Sequence, residues 1–162
     1  FLATVDPEGR PNCSYKGGPT GLVKVLDPQT LAFPIYDGNG MYVSAGNVLA
    51  NPHVGMLFID FQRQARLRVN GRALIADDEP LSGDWPEAQF VVRVEVREVF
   101  PNCPRYIHPM AQVATSEFVP TAQCETPAPA WKHLQLVADV LPARDAHLAG
   151  CEQDAAAAIN RG

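Results

Sequence analysis

Short segments with the character of β-strands follow one another closely along roughly the first hundred residues. The clearest is QFVVRVEVREVF, in which valines at 92, 94 and 96 alternate with charged residues at 93, 95 and 97. A period of two places the apolar side chains on one face of a strand and the charged ones on the other. The other strand-like segments are FLATVD, PNCSYKGG, GLVKVLD, TLAFPIYD, HVGMLFIDF and ARLRVNGRALIAD. We therefore predict six or seven strands in this part of the chain.

The connections between these segments indicate how the strands pair. PEGR and DPQ are turn sequences, so the first four segments are predicted to form two hairpins. One short helix is predicted over residues 40–50, because it ends at Asn51-Pro52, where a helix cannot continue. Short connections and a late helix favour a mainly β, antiparallel, closed or nearly closed barrel over a doubly wound parallel sheet.

The composition changes after this region, with prolines at 101, 104, 109, 120, 127, 129 and 142. We interpret residues 1–100 as the barrel and residues 101–162 as an extension of the same domain that wraps over it or reaches a partner chain. Within the extension, AWKHLQLVADVL has helical spacing, and EQDAAAAIN is predicted to form a terminal helix.

The composition limits the classes of function. With 13 Lys and Arg against 18 Asp and Glu, the net charge is −5, so no nucleic-acid-binding surface is expected. No apolar run approaches the ~20 residues that span a bilayer, and the first residues lack a signal-peptide pattern, so a cytoplasmic location away from membranes is expected. The cysteines at 13, 103, 124 and 151 lack metal-ligand spacing with each other or with a histidine, and no metal is predicted.

Two glycine-rich segments stand at predicted strand ends. SYKGG, residues 14–18, closes the first hairpin, and YDGNG, residues 36–40, leads into the predicted helix. Glycines at such points let backbone N–H groups approach a phosphate, which a helix N-terminus also favours. Two such bends can hold opposite sides of one phosphorylated ligand. The alternative is a plain glycine turn with Lys16 in solvent. No P-loop, GxGxxG or GxSxG motif occurs.

The order of three segments resembles the pyridoxamine 5'-phosphate oxidase-like superfamily of FMN-binding split barrels. These segments are FLATVDPEGRPNCSYKGG, then LAFPIYDGNGMYVSAGNVLANPHVGMLFIDF, then RLRVNGRA, and they extend over about residues 1–100. The resemblance implies a six- to seven-stranded antiparallel split barrel with Greek-key connections. It also implies a homodimer with two FMN sites at the subunit interface.

The resemblance also implies positions for the cofactor contacts. The first cofactor-contacting segment of the family corresponds to Ser14, Tyr15, Lys16, Gly17 and Gly18 of this chain. The second cofactor-contacting segment corresponds to Asp37, Gly38 and Asn39, followed by Val43 and Ser44. Arg66 occupies the place where the oxidases have a glutamine near the flavin ring, and an arginine there would stabilise negative charge on a reduced flavin. Side-chain alternation alone is equally compatible with a solvated arginine at this position.

The sequence departs from the true oxidases at two places. They have an Arg-Lys pair near the positions of Val43 and Ser44, so Lys16, Arg66 or Arg105 would have to supply the missing charge to the FMN phosphate. Their C-terminal Trp and Arg motif has no counterpart, and oxidation of pyridoxamine phosphate itself is not predicted. The segment FPNCPRYIHPM instead offers Arg105 and His108, which either reach the ligand or lie exposed in the tail.

The leading hypothesis is an FMN-dependent oxidoreductase with a small-molecule substrate, in which no residue of this chain is identified as catalytic. The flavin would carry the redox chemistry while the protein supplies position and charge. Two alternatives remain open at this point. One is a module that holds flavin or haem without turnover, with His108 or Cys103 as the axial haem ligand. The other is a deazaflavin-dependent reductase.

Overall fold

The computed structural model describes residues 1–76, 81 and 83–150 of the chain. Its elements are, in order, β1 (Leu2–Val5), β2 (Pro11–Ser14), β3 (Lys24–Asp27), β4 (Thr30–Ile35), α1 (Val43–Ala50), β5 (His53–Asp60), β6 (Ala65–Ala76) and β7 (Phe90–Pro101). Three short 3₁₀ helices follow at Ala130–His133, Gln135–Val137 and Ala143–Leu148. The predicted strands and both predicted hairpins are confirmed. No described helix is long and apolar enough to cross a lipid bilayer.

The seven strands form one antiparallel sheet in the order β2-β1-β5-β6-β7-β4-β3. The chain makes the β1-β2 hairpin at one edge, crosses to the other edge for β3 and β4, and returns through α1 to β5. Because β2 and β3 are both edge strands, the sheet is open between them. The prediction of a mainly β, antiparallel split barrel is confirmed.

The curvature of the sheet is visible in its core. Strands far apart in the sheet order, such as β1 and β4, contribute side chains to a single cluster. The buried members are Leu2, Phe33, Ile35, Val48, Val54, Met56, Val69, Ala73, Val92 and Val94. In β7 the predicted alternation holds, since Val92 and Val94 are fully buried while Arg93 between them is only half-buried. Period-two patterning therefore directs one face of the sheet inward.

A bulge in β7, where Arg97 is the extra residue opposite Asn70 and Gly71 of β6, brings two backbones close together. The pairing of β6 with β7 shifts register between Asn70 and Gly71, and Gly71 is buried. A Cβ at Gly71 would collide with the carbonyl oxygen of Glu95 and lie 2.8 Å from Cγ1 of Val94. Only glycine permits this approach, so Gly71 is required by strand packing.

Helix α1 is three residues shorter at its start than the predicted segment 40–50, because a turn occupies Asp37–Gly40. Gly40 N–H donates to the carbonyl of Asp37 at 3.0 Å, and Tyr42 then adopts a left-handed conformation with φ 48° before the helix begins. Asn47 of α1 donates a buried hydrogen bond of 3.0 Å from Nδ2 to Oγ1 of Thr4. This bond ties the helix to β1.

By its contacts the chain separates into two compact units, Phe1–Cys124 and Glu125–Gly162. In the second unit the segment with helical spacing is not one α-helix, and that prediction was wrong. It forms short 3₁₀ helices between Pro129 and Pro142, at Ala130–His133 and Gln135–Val137. Lys132 Nζ forms a buried ion pair with Asp145 Oδ2 at 2.7 Å. The predicted terminal helix lies outside the described residues.

Candidate functional site

The end of β2 contacts the first turn of α1. Ser14 is the last residue of β2, and its Oγ lies 3.0 Å from Oγ of Ser44, with either hydroxyl able to donate. Ser14 Oγ also donates to the carbonyl of Leu2 at 3.4 Å. Ser44 is buried, with 5% of its surface exposed. The first predicted segment and the helix that follows the second are therefore adjacent in the folded chain.

The first turn of α1 has unsatisfied hydrogen-bonding capacity. No side chain caps the helix, and its first turn contains no acidic residue. The first N–H groups of a helix lack acceptors within the helix and carry its positive dipole end, so they favour an anion. Val43 and Ser44 add no positive charge of their own, as the sequence indicated.

Lys16 lies two residues beyond Ser14 and is half-buried. It lines a cavity of about 40 Å³ whose other walls are apolar and come from both halves of the barrel. These walls are Phe1, Leu2, Leu22, Val23, Phe33 and Met56. Desolvation by burial lowers the pKa of Lys16. Among the residues that the structure describes, no carboxylate pairs with it.

A desolvated ammonium without an anionic partner is costly, and a bound anion would relieve that cost. Lys16 follows the strand that contacts α1, and α1 begins with uncapped N–H groups. The donors present are thus of the kind that a phosphate monoester requires.

The two glycines of SYKGG have neighbours of their own chain. A Cβ at Gly17 would lie 2.7 Å from Cε1 of Tyr15, and one at Gly18 would lie 2.5 Å from Cδ1 of Leu22. Tyr15 is 74% exposed, and its ring meets that of Phe1 edge-on at 5.6 Å. Both neighbouring atoms belong to the ends of side chains that can shift, so these contacts alone do not require glycine at 17 and 18. A ligand approaching the same backbone stays a prediction.

The second predicted segment forms a self-contained turn. Tyr42 Oη donates to Asp37 Oδ1 at 2.8 Å, and Asn39 Oδ1 accepts from the N–H of Met41 at 3.2 Å. Gly38 has φ 59°, a left-handed conformation that glycine adopts readily. The sequence analysis did not identify Tyr42 as the partner of Asp37. The available indication was that Tyr42 lies five residues after Asp37.

Arg66 and Arg105 come together around Cys103, at the start of β6 and the end of β7. Arg105 Nε donates to Cys103 Sγ at 3.1 Å. Arg66 is near enough for its charge to contribute to the lowered pKa of Cys103. Arg66 Nε is buried and has no hydrogen-bond partner. We call these three residues the cysteine-arginine cluster.

The predicted residues thus form two groups. One is Ser14, Lys16 and Ser44, and the other is the cysteine-arginine cluster. Among the described residues no hydrogen bond joins the two groups, and His108 is exposed. In the described ranges, no group of three His, Cys, Asp or Glu side chains is placed to hold a metal ion.

The outer face of the sheet carries an open groove that the sequence did not indicate. Its volume is about 370 Å³, and it lies across β1, β2, β5, β6 and β7. Small residues at Ala3 and Gly55 form its floor, with His53, Asn70 and Arg97 among the polar residues around it. Because these positions belong to several strands, only the register of the sheet brings them together.

The geometry defines an antiparallel split barrel with an anion-favouring end, and comparison with known proteins specifies the family. The family model of pyridoxamine 5'-phosphate oxidase matches residues 1–103. No curated protein matches the chain.

Solved structures with a similar fold include HupZ from Group A Streptococcus, at 22% identity and a TM-score of 0.49, covering 62% of this chain and 81% of that one. Another is a candidate pyridoxamine 5'-phosphate oxidase from Lactobacillus delbrueckii, at 29% identity and TM-score 0.44, covering 61% and 80%. A third is HutZ, the haem storage protein of Vibrio cholerae, at 22% and TM-score 0.46, covering 61% and 82%.

Because the family model extends over more than half of the sequence, the chain belongs to the pyridoxamine 5'-phosphate oxidase-like family.

Proposed function

We propose that this chain is an FMN-binding flavoprotein oxidoreductase acting on a small molecule. The observation that carries the proposal is the contact of Ser14 with Ser44, beside an uncapped helix start and near a lysine without a carboxylate partner. Family membership gives the proposal its cofactor class.

The phosphate of FMN would be held by the first-turn N–H groups of α1 and by Lys16. Lys16 is a better source of the missing positive charge than Arg66 or Arg105, because it follows the same strand end that contacts α1. Both arginines instead lie beside Cys103. A charge-assisted hydrogen bond contributes about 1.5–3 kcal/mol, which is enough to replace much of what one residue of the Arg-Lys pair would supply.

When bound, the flavin supplies the hydride and electron chemistry, so this chain needs no nucleophile of its own. The chain's contribution is binding, orientation and charge. Arg66 and Arg105 provide fixed positive charge that stays at any physiological pH, suited to an anionic part of the cofactor or substrate. The ring and ribityl chain of the flavin are proposed to lie along Tyr15, Gly17, Gly18, Asp37, Gly38 and Asn39.

We further propose a homodimer with the cofactor at the interface between subunits. The two groups of candidate residues share no hydrogen bond within the described part of one chain, as expected if each completes a site with residues of a second copy. Sedimentation or light scattering at two protein concentrations would show a mass of twice 17.6 kDa for this assembly.

The decisive experiment identifies the small molecule released when the purified protein is denatured. Release of FMN, with a flavin absorption band before denaturation, supports the proposal. A colourless protein that takes up no FMN contradicts it. Titration with haem and with a deazaflavin tests the alternatives, and a haem spectrum that changes in H108A would favour the haem-holding module.

A further inference from the structure

The thiol of Cys103 is held in a fixed setting although it is exposed. Cys103 comes two residues after the end of β7 and directly precedes a turn, in which Ile107 N–H donates to the carbonyl of Pro104 at 2.9 Å. Ile107 is 8% exposed, and its carbonyl accepts a 2.7 Å hydrogen bond from Gln64 Nε2. Because the turn is anchored in this way, Arg105 within it is kept beside the thiol.

Two guanidinium groups act on this thiol. Arg105 Nε donates to Sγ at 3.1 Å. Arg66 reaches the same place from β6, whose backbone is joined to the residue before Cys103 by a 3.4 Å hydrogen bond from Asn102 N–H to the Arg66 carbonyl. The Nε–H of Arg66 is buried without an acceptor. The cluster therefore has a nucleophile and, in the exposed guanidinium of Arg105, a donor for an anionic group.

The charge state of the thiol follows from these contacts. Hydrogen bonds from the side chain and backbone of Arg105 lower the pKa of Cys103 and outweigh an opposing effect of desolvation, and the charge of Arg66 adds the smallest contribution. Since the thiolate is the attacking form, a lowered pKa raises the fraction that reacts at neutral pH.

Two other cysteines in the described residues serve as comparisons. Cys13 and Cys124 are exposed and free like Cys103. Cys124 Sγ lies 3.3 Å from Oγ1 of Thr121, an uncharged partner. The feature that separates Cys103 from both is its hydrogen bond to a guanidinium.

We propose that Cys103 is a modification site that undergoes thiol-disulfide exchange with small anionic disulfides. The thiolate attacks one sulfur of the disulfide, a bond forms between it and Sγ, and the original S–S bond breaks to release one thiolate. The small disulfide is the oxidant, and the thiolate that leaves takes up a proton. The exposed guanidinium of Arg105 holds a carboxylate of the incoming disulfide. This proposal holds for any cofactor that leaves Arg105 free to contact the incoming disulfide.

The test compares two disulfides on the intact, reduced protein. Oxidised glutathione is the anionic probe and 2-hydroxyethyl disulfide the neutral one, and peptide mass mapping gives the rate of mixed-disulfide formation at each cysteine. For oxidised glutathione at pH 7, we expect Cys103 to react roughly three to ten times faster than Cys13 or Cys124. We also expect the ratio of anionic to neutral rates to be higher at Cys103 than at Cys13.

The variant R105Q removes the hydrogen bond to Sγ at an exposed position, so the fold should be retained, and circular dichroism checks this. In R105Q the glutathione rate at Cys103 should fall to that of Cys13. The matched control R63Q removes a guanidinium whose side chain is 87% exposed and only 3.9 Å from a carboxylate, and it should leave the rate unchanged. Equal rates at the three cysteines, or an unchanged rate in R105Q, would overturn the proposal.

Discussion

Ser14 and Ser44, 30 positions apart in the sequence, place their hydroxyl oxygens 3.0 Å from each other. The contact joins the edge strand β2 to the start of α1, and it links the first glycine-rich segment to the helix that follows the second. It brings an uncapped helix N-terminus to the end of the strand that precedes Lys16. The proposed phosphate site rests on this link.

Replacing either serine should destabilise the barrel, and the two effects should not add. S44A leaves the Ser14 hydroxyl without this partner in a partly buried place, and we expect a loss of about 1 kcal/mol in the free energy of unfolding. S14A should behave similarly. The double variant should lose less than the sum of the two, because neither partner is then left unpaired. Urea denaturation of the four proteins measures this coupling, and strictly additive losses would show that the hydroxyls do not interact.

Lys16 should make stability depend on pH. Burial lowers its pKa, so between that lowered pKa and the ordinary value of about 10.4 the unfolded chain binds more protons than the folded one. The cost of burying the charged form is fully present at neutral pH and disappears as pH rises through this window. We therefore expect K16M to be the more stable protein at pH 7, by a difference that shrinks toward pH 10. Urea denaturation of both proteins at several pH values tests this, and a constant difference would contradict it.

Gly71 and Gly46 form a matched pair of glycine-to-alanine substitutions. A Cβ at Gly71 meets the backbone of Glu95, so G71A should cost about 2 kcal/mol or more by forcing β6 and β7 apart. Gly46 lies in α1, where a Cβ would have no atom within 4 Å other than the helix's own backbone, so G46A should gain up to about 1 kcal/mol from helix propensity. Thermal unfolding gives both values. A harmless G71A would mean that the bulge does not hold the strands together.

The hydrogen bond from Asn47 to Thr4 should be a main anchor of α1. Thr4 is 1% exposed and Asn47 8%, so N47A would leave a buried hydroxyl without a partner. We expect a loss of about 1–3 kcal/mol in the free energy of unfolding. N12A, at a half-buried position on β2, is the control and should change stability by less than about 0.5 kcal/mol. Equal effects of the two substitutions would show that the buried bond is unimportant.

The strands could be predicted because their signals are local. Alternation in β7 and the turn sequences between β1 and β2, and between β3 and β4, each lie within a few residues. The start of α1 was placed too early, because the turn at Asp37–Gly40 depends on positive φ values at Gly38 and Gly40 that helical spacing does not report. The 3₁₀ turns of the tail were mistaken for one α-helix for a related reason, since spacing does not distinguish them.

The candidate site was only partly predictable. The residues of SYKGG were identified, but the glycines there lie under Tyr15 and Leu22, a packing fact that composition does not contain. The contact of Ser14 with Ser44 and the arrangement of Arg66 with Arg105 around Cys103 depend on side chains far apart in sequence. Such contacts arise from strand order and register, which cannot be inferred from the local patterns of a single sequence.

The most direct test of the account compares the dissociation constants of FMN and riboflavin, which differ by the phosphate group. Fluorescence titration of the wild-type protein and K16M would give all four values. We predict that the wild-type protein binds FMN about tenfold or more tightly than riboflavin, and that K16M loses most of this preference while its affinity for riboflavin is retained. Equal affinity for the two flavins in the wild-type protein, or a preference that K16M leaves intact, would contradict the account.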